Sequence, residues 1–125
     1  MHPSTAIERG IKHGDIVKVY NERGTVLCGA YVTERLIPNA IYVDHGSRFD
    51  PIEAETLDRG GAVNLITPHN NISKYATGMV VSGFLVQAAK VTDKEMAEWK
   101  ARYPESFDRK IDEACGVCLD GWLIG

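Results

Sequence analysis

Residues 10–33, GIKHGDIVKVYNERGTVLCGAYVT, indicate a β-hairpin. Residues 16–20 are rich in β-branched side chains, and residues 25–32 mix valine, leucine and tyrosine with small residues. Between them, NERG (residues 21–24) is predicted to be a turn, because Gly24 can adopt a positive φ angle. We therefore predict a mainly β fold.

Helices are predicted before and after the strands. The pattern Thr-x-x-Glu at residues 5–8 and 92–95 is typical of a capping box at a helix N-terminus. We predict a short helix over residues 5–9 and a longer one over residues 93–103. An apolar stripe, expected to pack on the strands or on a neighbouring domain, comprises Met96, Trp99, Tyr103, Phe107, Ile111 and Ala114 or Cys115.

Two further strand segments flank a long region of different character. Residues 37–43 and 80–91 are predicted as strands, because both are rich in apolar residues. Residues 44–82 have few sustained apolar stretches and are predicted to be loops. Loops of that length inside a compact domain are usually functional.

The composition of the chain argues against several classes of protein. A chain of 125 residues is about one domain in size and can bury a core without disulfides. The net charge of −3 opposes nucleic acid as the main partner, and no apolar run is long enough to span a bilayer. The first residues lack a signal-peptide pattern, which favours the cytoplasm without establishing it. Because a helix signal lies so close to residue 1, we expect a fragment of a longer chain.

The spacing of the cysteines and histidines does not predict a metal ion bound by side chains of this chain. Cys28 lies in an apolar run and is interpreted as a small buried hydrophobe. Cys115 and Cys118 form a lone CGVC, whereas a structural zinc site needs about four ligands. The histidines, which lack helical metal-binding spacing, are His2, His13, His45 and His69.

Two polar loops are the candidates for ligand binding: HGSRFDP (residues 45–51), called the first loop, and GGAVNLITP (residues 60–68), called the second loop. The glycines of the second loop leave its backbone open to close approach by a ligand. The Asn64 amide can donate and accept hydrogen bonds, which suits the edge of a purine or pterin ring. The alternative is a structural loop in which Asn64 bonds its own backbone. No catalytic set is predicted, because nothing in the sequence shows that the His, Ser and Asp of the first loop converge.

These motifs resemble the C-terminal domain of the dimethyl sulfoxide reductase family. Residues 2–24 are similar to its pattern Asn/His-Pro-x-x-Ala followed by Gly-Ile-x-x-Gly-Asp-x-Val. The first loop is similar to its Gly-x-Trp-Tyr-Asp-Pro segment, although Arg48 stands where Trp is usual. The second loop is similar to Gly-Gly-x-x-Asn-x-Leu-Thr, with Ile66 in place of Leu. Among the family's members, transhydroxylase-like large subunits are the nearest in character.

The resemblance implies a six-stranded double-psi β-barrel over residues 1–91, incomplete at its N-terminus, with short peripheral helices. Residues 92–125 would form a helical extension docked on it. The implied cofactor is bis(molybdopterin guanine dinucleotide) with molybdenum or tungsten. The residues that the resemblance assigns to the cofactor are His45, Gly46, Asp50, Gly61, Asn64 and Ser82.

The resemblance also implies which partners complete the site. In the family, the metal's protein ligand and most substrate contacts come from preceding domains of the same large subunit, so the chain alone is expected to be inactive. An iron–sulfur small subunit is a further implied partner, with no contact to nucleic acid or membrane.

Two alternatives remain open from the sequence. A self-processing barrel decarboxylase that forms a pyruvoyl group would cleave a Gly-Ser bond, and Gly46-Ser47 is such a bond, although the dipeptide is common. A DNA-binding barrel is opposed by the acidic balance and by the absence of a basic face in the sequence.

Overall fold

A computed structural model describes residues 1–79 and 82–108, in which seven strands form two sheets. In chain order the strands are β1 (Ile16–Asn21), β2 (Gly24–Gly29), β3 (Pro51–Glu53), β4 (Leu57–Asp58), β5 (Asn71–Ser73), β6 (Ala76–Met79) and β7 (Gln87–Lys90). The helices are α1 (Pro3–Glu8), α2 (Asp93–Arg102) and α3 (Pro104–Phe107), and a 3-10 turn spans Val63–Leu65. The larger sheet has the order β3-β4-β2-β1-β7, and β5 pairs with β6 separately.

The predicted hairpin is confirmed and forms the centre of the larger sheet. Strands β1 and β2 pair antiparallel, from Ile16 opposite Gly29 to Asn21 opposite Gly24. The alternation of the strand places Val17 and Val19 in the core, each only 2% exposed. The sheet is mixed, because β2 runs parallel to β4 while β1 pairs antiparallel with β7.

The mainly β prediction is therefore confirmed, but the sheet formed by the described residues is open. Strands β3 and β7 lie at its two edges, so these residues do not close a barrel. None of the helices formed by the described residues has the length and apolar character that crossing a bilayer requires.

Two apolar clusters hold the sheet to its helices. The first joins α1, the hairpin and the 3-10 turn, and consists of Met1, Ala6, Ile11, Val17, Val19, Val26, Ala30, Val63, Ile66 and Ala88. The second consists of Leu27, Ile52, Leu57 and Val91, with Met96, Trp99, Tyr103 and Phe107 packed against it. The predicted stripe thus packs on the strands as far as Phe107, whereas Ile111, Ala114 and Cys115 lie outside the described residues. The division of the chain at residue 91 stays a prediction.

The two predicted helix starts have different outcomes. The capping box at Thr92 and Glu95 is confirmed at the start of α2, and Glu95 also pairs with Lys18 of β1. The capping box at residues 5–8 is wrong, because His2 is the N-cap of α1 and its side chain accepts the Ser4 N–H. Thr5 is buried instead, and its hydroxyl accepts the Asn39 N–H at 2.8 Å.

Three segments differ from their prediction. Residues 37–43 form no strand: Asn39 has a φ of 62°, and Ile37 is 74% exposed. Residues 44–82, predicted to be loops, contain four short strands, because β3 and β4 find partners in the sheet that local pattern does not reveal. Within the predicted strand over residues 80–91, residues 80 and 81 lie outside the described part. Of residues 82–91, only Gln87–Lys90 form a strand, after Gly83 with a φ of 75°.

Removal of the α2 cap gives a test of this packing. In Thr92→Ala the Glu95 N–H loses its side-chain acceptor at 3.2 Å. We expect the unfolding free energy in urea to fall by about 1 kcal/mol, the usual cost of losing an N-cap. Lys94→Ala on the exposed side of the same helix is the control, with an expected change below about 0.5 kcal/mol. Equal losses in both variants would contradict the role of the cap.

Candidate functional site

The first and second loops pack directly against each other beside β2 and β4. A Cβ added at Gly60 would lie 2.1 Å from the carbonyl oxygen of Arg48. At Gly61, whose φ is 76°, an added Cβ would lie 3.7 Å from the hydroxyl oxygen of Ser47. The space that Gly60 leaves open is therefore filled by the first loop, not by a ligand.

A buried carboxylate joins the two loops. Asp58 is fully buried; its Oδ1 accepts the Asp50 N–H at 2.6 Å, and its Oδ2 accepts the Ala62 N–H at 2.8 Å. Burial raises the pKa of the Asp58 carboxyl group, while the backbone N–H groups that it accepts oppose the rise. Sequence reasoning missed Asp58; the signal was an aspartate placed two residues before a double glycine.

An ion pair strengthens the same junction. Arg59 is 4% exposed, and its Nε donates to Oδ2 of Asp50 at 2.7 Å, while its backbone N–H donates to the Asp50 carbonyl at 3.0 Å. The Arg59 guanidinium carbon also lies 5.7 Å from the Phe107 ring centroid. This geometry gives Asp50 a structural part in the junction, and its predicted contact with a cofactor stays a prediction.

A cleft of about 530 Å³ opens where the two loops meet the hairpin turn. Its walls are formed by Arg23, Ser47, Phe49, Glu55, Ala62, Asn64, Leu65 and His69. Asn64 is exposed, and its side-chain amide makes no hydrogen bond to any residue that the structure describes. The loop is instead fixed through the Asn64 carbonyl, which accepts the Thr67 hydroxyl at 3.1 Å. The cleft thus offers an unoccupied donor and acceptor on Asn64.

Three cleft residues were missed by sequence reasoning, although each had a signal. Arg23 precedes the glycine of NERG, Phe49 is the aromatic residue of the first loop, and His69 follows the proline that ends the second loop. The Phe49 ring, the His69 imidazole and the Asn64 amide can hold a planar, polar ligand, while the Arg23 cation is paired with Glu22 and Glu55 adds a carboxylate to the same wall.

The remaining predicted residues lie apart from the cleft. His45 and Gly46 are exposed in the first loop, where Gly46 has a φ of 89°, and neither lines the cleft. Ser82 is exposed after residues 80–81 and does not line it either. The described residues contain no group of three or more His, Cys, Asp or Glu side chains placed to hold a metal ion.

A second, largely apolar cavity of about 650 Å³ is lined in part by the double glycine. It is lined by Gly61, by strand residues such as Val17 and Leu27, and by Cys28. Burial, together with the nearby Asp58 carboxylate, raises the pKa of the Cys28 thiol to about 11. The thiol therefore stays protonated near neutral pH, as expected of a small apolar side chain.

A mainly β sheet whose loops line an open cleft with a few polar side chains has the layout of a ligand-binding domain. The family model described as "Molydopterin dinucleotide binding domain" matches residues 1–83. The chain therefore belongs to the molybdopterin dinucleotide-binding domains of the dimethyl sulfoxide reductase family.

Individual relatives agree with this assignment. The chain is 42% identical to the pyrogallol hydroxytransferase large subunit of Pelobacter acidigallici over 85 residues, which is 66% of this chain and 10% of that protein. It is 38% identical to the dimethyl sulfoxide/trimethylamine N-oxide reductase of Rhodobacter capsulatus over 95 residues, 74% of this chain and 12% of that protein. It is also 37% identical to dimethyl sulfoxide reductase DmsA of Escherichia coli K12 over 91 residues, 73% of this chain and 11% of that protein. The chain thus spans about a tenth of the length of these curated relatives.

The contact between the two loops can be tested with a single methyl group. We expect Gly60→Ala to lower the unfolding free energy by about 1–3 kcal/mol, because the new Cβ would overlap the Arg48 carbonyl oxygen. Gly29→Ala is the control, since nothing lies within 4 Å of a Cβ at that position. Urea unfolding that shows the same loss for both variants would contradict the loop contact.

The burial of Cys28 can be tested by pH. In a chain carrying Cys115→Ser and Cys118→Ser, alkylation of Cys28 by iodoacetamide at pH 8 should be about a hundredfold slower when folded than when unfolded in urea, because the thiolate is scarcer. Since the pKa is raised from 9.0 to about 11 on folding, the thiol's stabilising contribution is intact below pH 9.0 and is lost as pH rises through about 11. Equal alkylation rates in both states, measured by mass spectrometry, would show that the thiol is not shielded.

Proposed function

We propose that this chain binds a molybdopterin guanine dinucleotide and forms one wall of the cofactor site in the catalytic subunit of a molybdenum or tungsten oxidoreductase. The observation that carries the proposal is the Asn64 amide, exposed in the cleft between the two loops that bear the family's motifs. The bis form of the cofactor, with two pterin dinucleotides around one metal, is the form that the resemblance favours.

The residues of the cleft are compatible with the polar parts of such a cofactor. A volume of about 530 Å³ is within the range of small-molecule pockets. The Asn64 amide can pair with the edge of a guanine or pterin ring, since both rings present donors and acceptors side by side. Arg23 at the rim suits a diphosphate, and the Phe49 ring suits stacking on a base.

The chemistry of the reaction would come from the cofactor, and the role of this chain would be to bind and orient it. When bound, such a cofactor supplies redox chemistry at its metal, while the protein supplies positioning and electrostatics. Asn64 would fix the rotation of the dinucleotide, and Asp58 would hold both loops at the spacing that the cleft requires. We therefore expect no redox turnover by the 125-residue chain alone.

The exposed apolar residues support contact with other parts of a larger subunit. Tyr31, Ile37 and Tyr42 are 64–74% exposed, and the two tyrosines line the apolar cavity. Preceding domains of the same large subunit are proposed to cover this face and to supply the strands that complete a double-psi β-barrel. A small subunit is a further proposed partner, since one relative is itself named as a large subunit. That this subunit carries iron–sulfur clusters is implied by the family resemblance alone.

Substitution of Asn64 tests the proposed binding site. In Asn64→Ala the ligand loses a donor and an acceptor, so its affinity should fall by about 1–3 kcal/mol, the penalty of unpaired buried polar groups. Asn64→Asp should be at least as harmful, because a charge replaces the donor. Binding is measured by fluorescence titration with the air-oxidised molybdopterin guanine dinucleotide, whose pterin is fluorescent, and domain stability by urea unfolding.

The control is Asn70→Ala, which changes an exposed asparagine that does not line the cleft. Its affinity should match that of the unmodified chain. If Asn64→Ala keeps full affinity and loses stability instead, Asn64 is a structural loop residue and the site assignment is wrong.

A further inference from the structure

The hairpin turn (residues 21–24) is bonded directly to the 3-10 turn that carries Asn64. Nδ2 of Asn21 and Nε of Arg23 both donate to the carbonyl oxygen of Ile66, each at 2.8 Å. A carbonyl oxygen has two lone pairs, so these two donors satisfy it fully. Ile66 is the residue that ends the 3-10 turn, and it is 1% exposed.

The two donors are themselves fixed within the hairpin turn. Oδ1 of Asn21 accepts the Arg23 N–H at 2.9 Å, which closes a local turn. The Arg23 guanidinium also pairs with the Glu22 carboxylate at 2.7 Å, and its carbon lies 5.6 Å from the Phe84 ring centroid. The Asn21 and Arg23 side chains are therefore held in place by contacts of their own when they donate to Ile66.

Packing brings the two turns into direct contact as well. A Cβ added at Gly24 would lie 2.8 Å from Cγ of Leu65 and 3.3 Å from its carbonyl oxygen. Leu65 follows Asn64 in the chain, so the hairpin turn abuts the backbone next to the cleft residue. The prediction that Gly24 adopts a positive φ is wrong, and the glycine is needed instead for its close approach to Leu65.

The 3-10 turn has little to hold its own shape. Its backbone bonds are Leu65 N–H to the Ala62 carbonyl and Ile66 N–H to the Val63 carbonyl, each 3.1 Å long. Short 3-10 segments have poor hydrogen-bond geometry and depend on their surroundings. The orientation of Asn64 therefore depends on contacts from outside the loop as well as on the Thr67 hydroxyl, which donates to the Asn64 carbonyl.

We propose that Asn21 and Arg23 are positioning residues that hold Asn64 in the orientation that ligand binding requires. This rests on the proposed function, since it assumes that Asn64 contacts the dinucleotide. Asn21 lies outside the cleft and acts through the Ile66 carbonyl, whereas Arg23 both donates to Ile66 and lines the cleft, so the decisive variant is the one at Asn21.

The most specific variant is Asn21→Asp. It preserves the shape and the Oδ1 acceptor for the Arg23 N–H, but it replaces the Nδ2 donor with an oxygen that faces the Ile66 carbonyl. Affinity for oxidised molybdopterin guanine dinucleotide should fall about tenfold, the order expected when one buried hydrogen bond is lost. Arg23→Lys keeps the charge but lacks the Nε donor, and it should give a loss in the same direction. Glu22→Gln is the matched control, because its side chain contacts Arg23 but not Ile66.

A double-mutant cycle separates positioning from general stability. In an Asn64→Ala background, Asn21→Asp should change ligand affinity by less than about twofold, because the group that it positions is gone. An equal loss in both backgrounds would show that Asn21 acts independently of Asn64 and would overturn the proposal. The proposal would also be overturned if Asn21→Asp bound the ligand as tightly as the unmodified chain does.

Hydrogen exchange gives a readout that needs no ligand. In Asn21→Asp, exchange of the Leu65 and Ile66 amides should rise about tenfold while the Val19 amide in β1 stays unchanged. Unchanged exchange at both turn amides would overturn the positioning proposal even if the ligand binds. If exchange rises but the unmodified chain binds no dinucleotide, the proposed function is wrong. The conclusion that Asn21 stabilises the 3-10 turn would still be supported.

Discussion

The site depends on one buried carboxylate. Asp58 lies at the end of β4, where parallel pairing with β2 places it inside the sheet, and its two oxygens accept backbone N–H groups from Asp50 and Ala62. Backbone N–H groups at such a depth need a partner, so each loop end would be destabilised without it. Because one buried group serves both loops, it sets their spacing together with the Arg59–Asp50 ion pair and the contact of Gly60 with Arg48.

The hairpin supplies the second constraint on the same loops. Its strands build the core through Val17, Val19 and Val26, and its turn bonds the carbonyl of Ile66. The element that gives the domain its stability is therefore also in contact with the cleft. A change in the hairpin turn reaches the second loop directly through the hydrogen bonds to Ile66. A change at the far end of the hairpin must act through the packed strands.

The sequence predicted correctly those elements whose structure is determined by neighbouring residues. The predictions of the hairpin and of the α2 capping box were correct because adjacent residues determine them. The motif of the second loop drew attention to Asn64, which lines the cleft, while its contact with a cofactor stays a prediction. The short strands β3 and β4 were missed because their partners are distant in sequence, and Asp58 and Arg59 were missed with them. Residues 37–43 have an apolar pattern typical of a strand, but in the described fold Ile37 and Tyr42 have no sheet to cover them. The double glycine was predicted to leave the backbone open to a ligand, but the space beside Gly60 is filled by the Arg48 carbonyl.

The pairing of the sheet also sets an order in which its parts can form. The hairpin pairs Asn21 with Gly24 across a tight turn, whereas β2 meets β4 through Thr25 and Leu57, and β1 meets β7 through Val17 and Lys90. Pairings between distant residues form more slowly than local ones, because a long chain segment must first be restricted. We therefore expect the hairpin to form before the pairings of β2 with β4 and of β1 with β7. Partial unfolding should follow the reverse sequence, so the cleft would open while the hairpin is still intact.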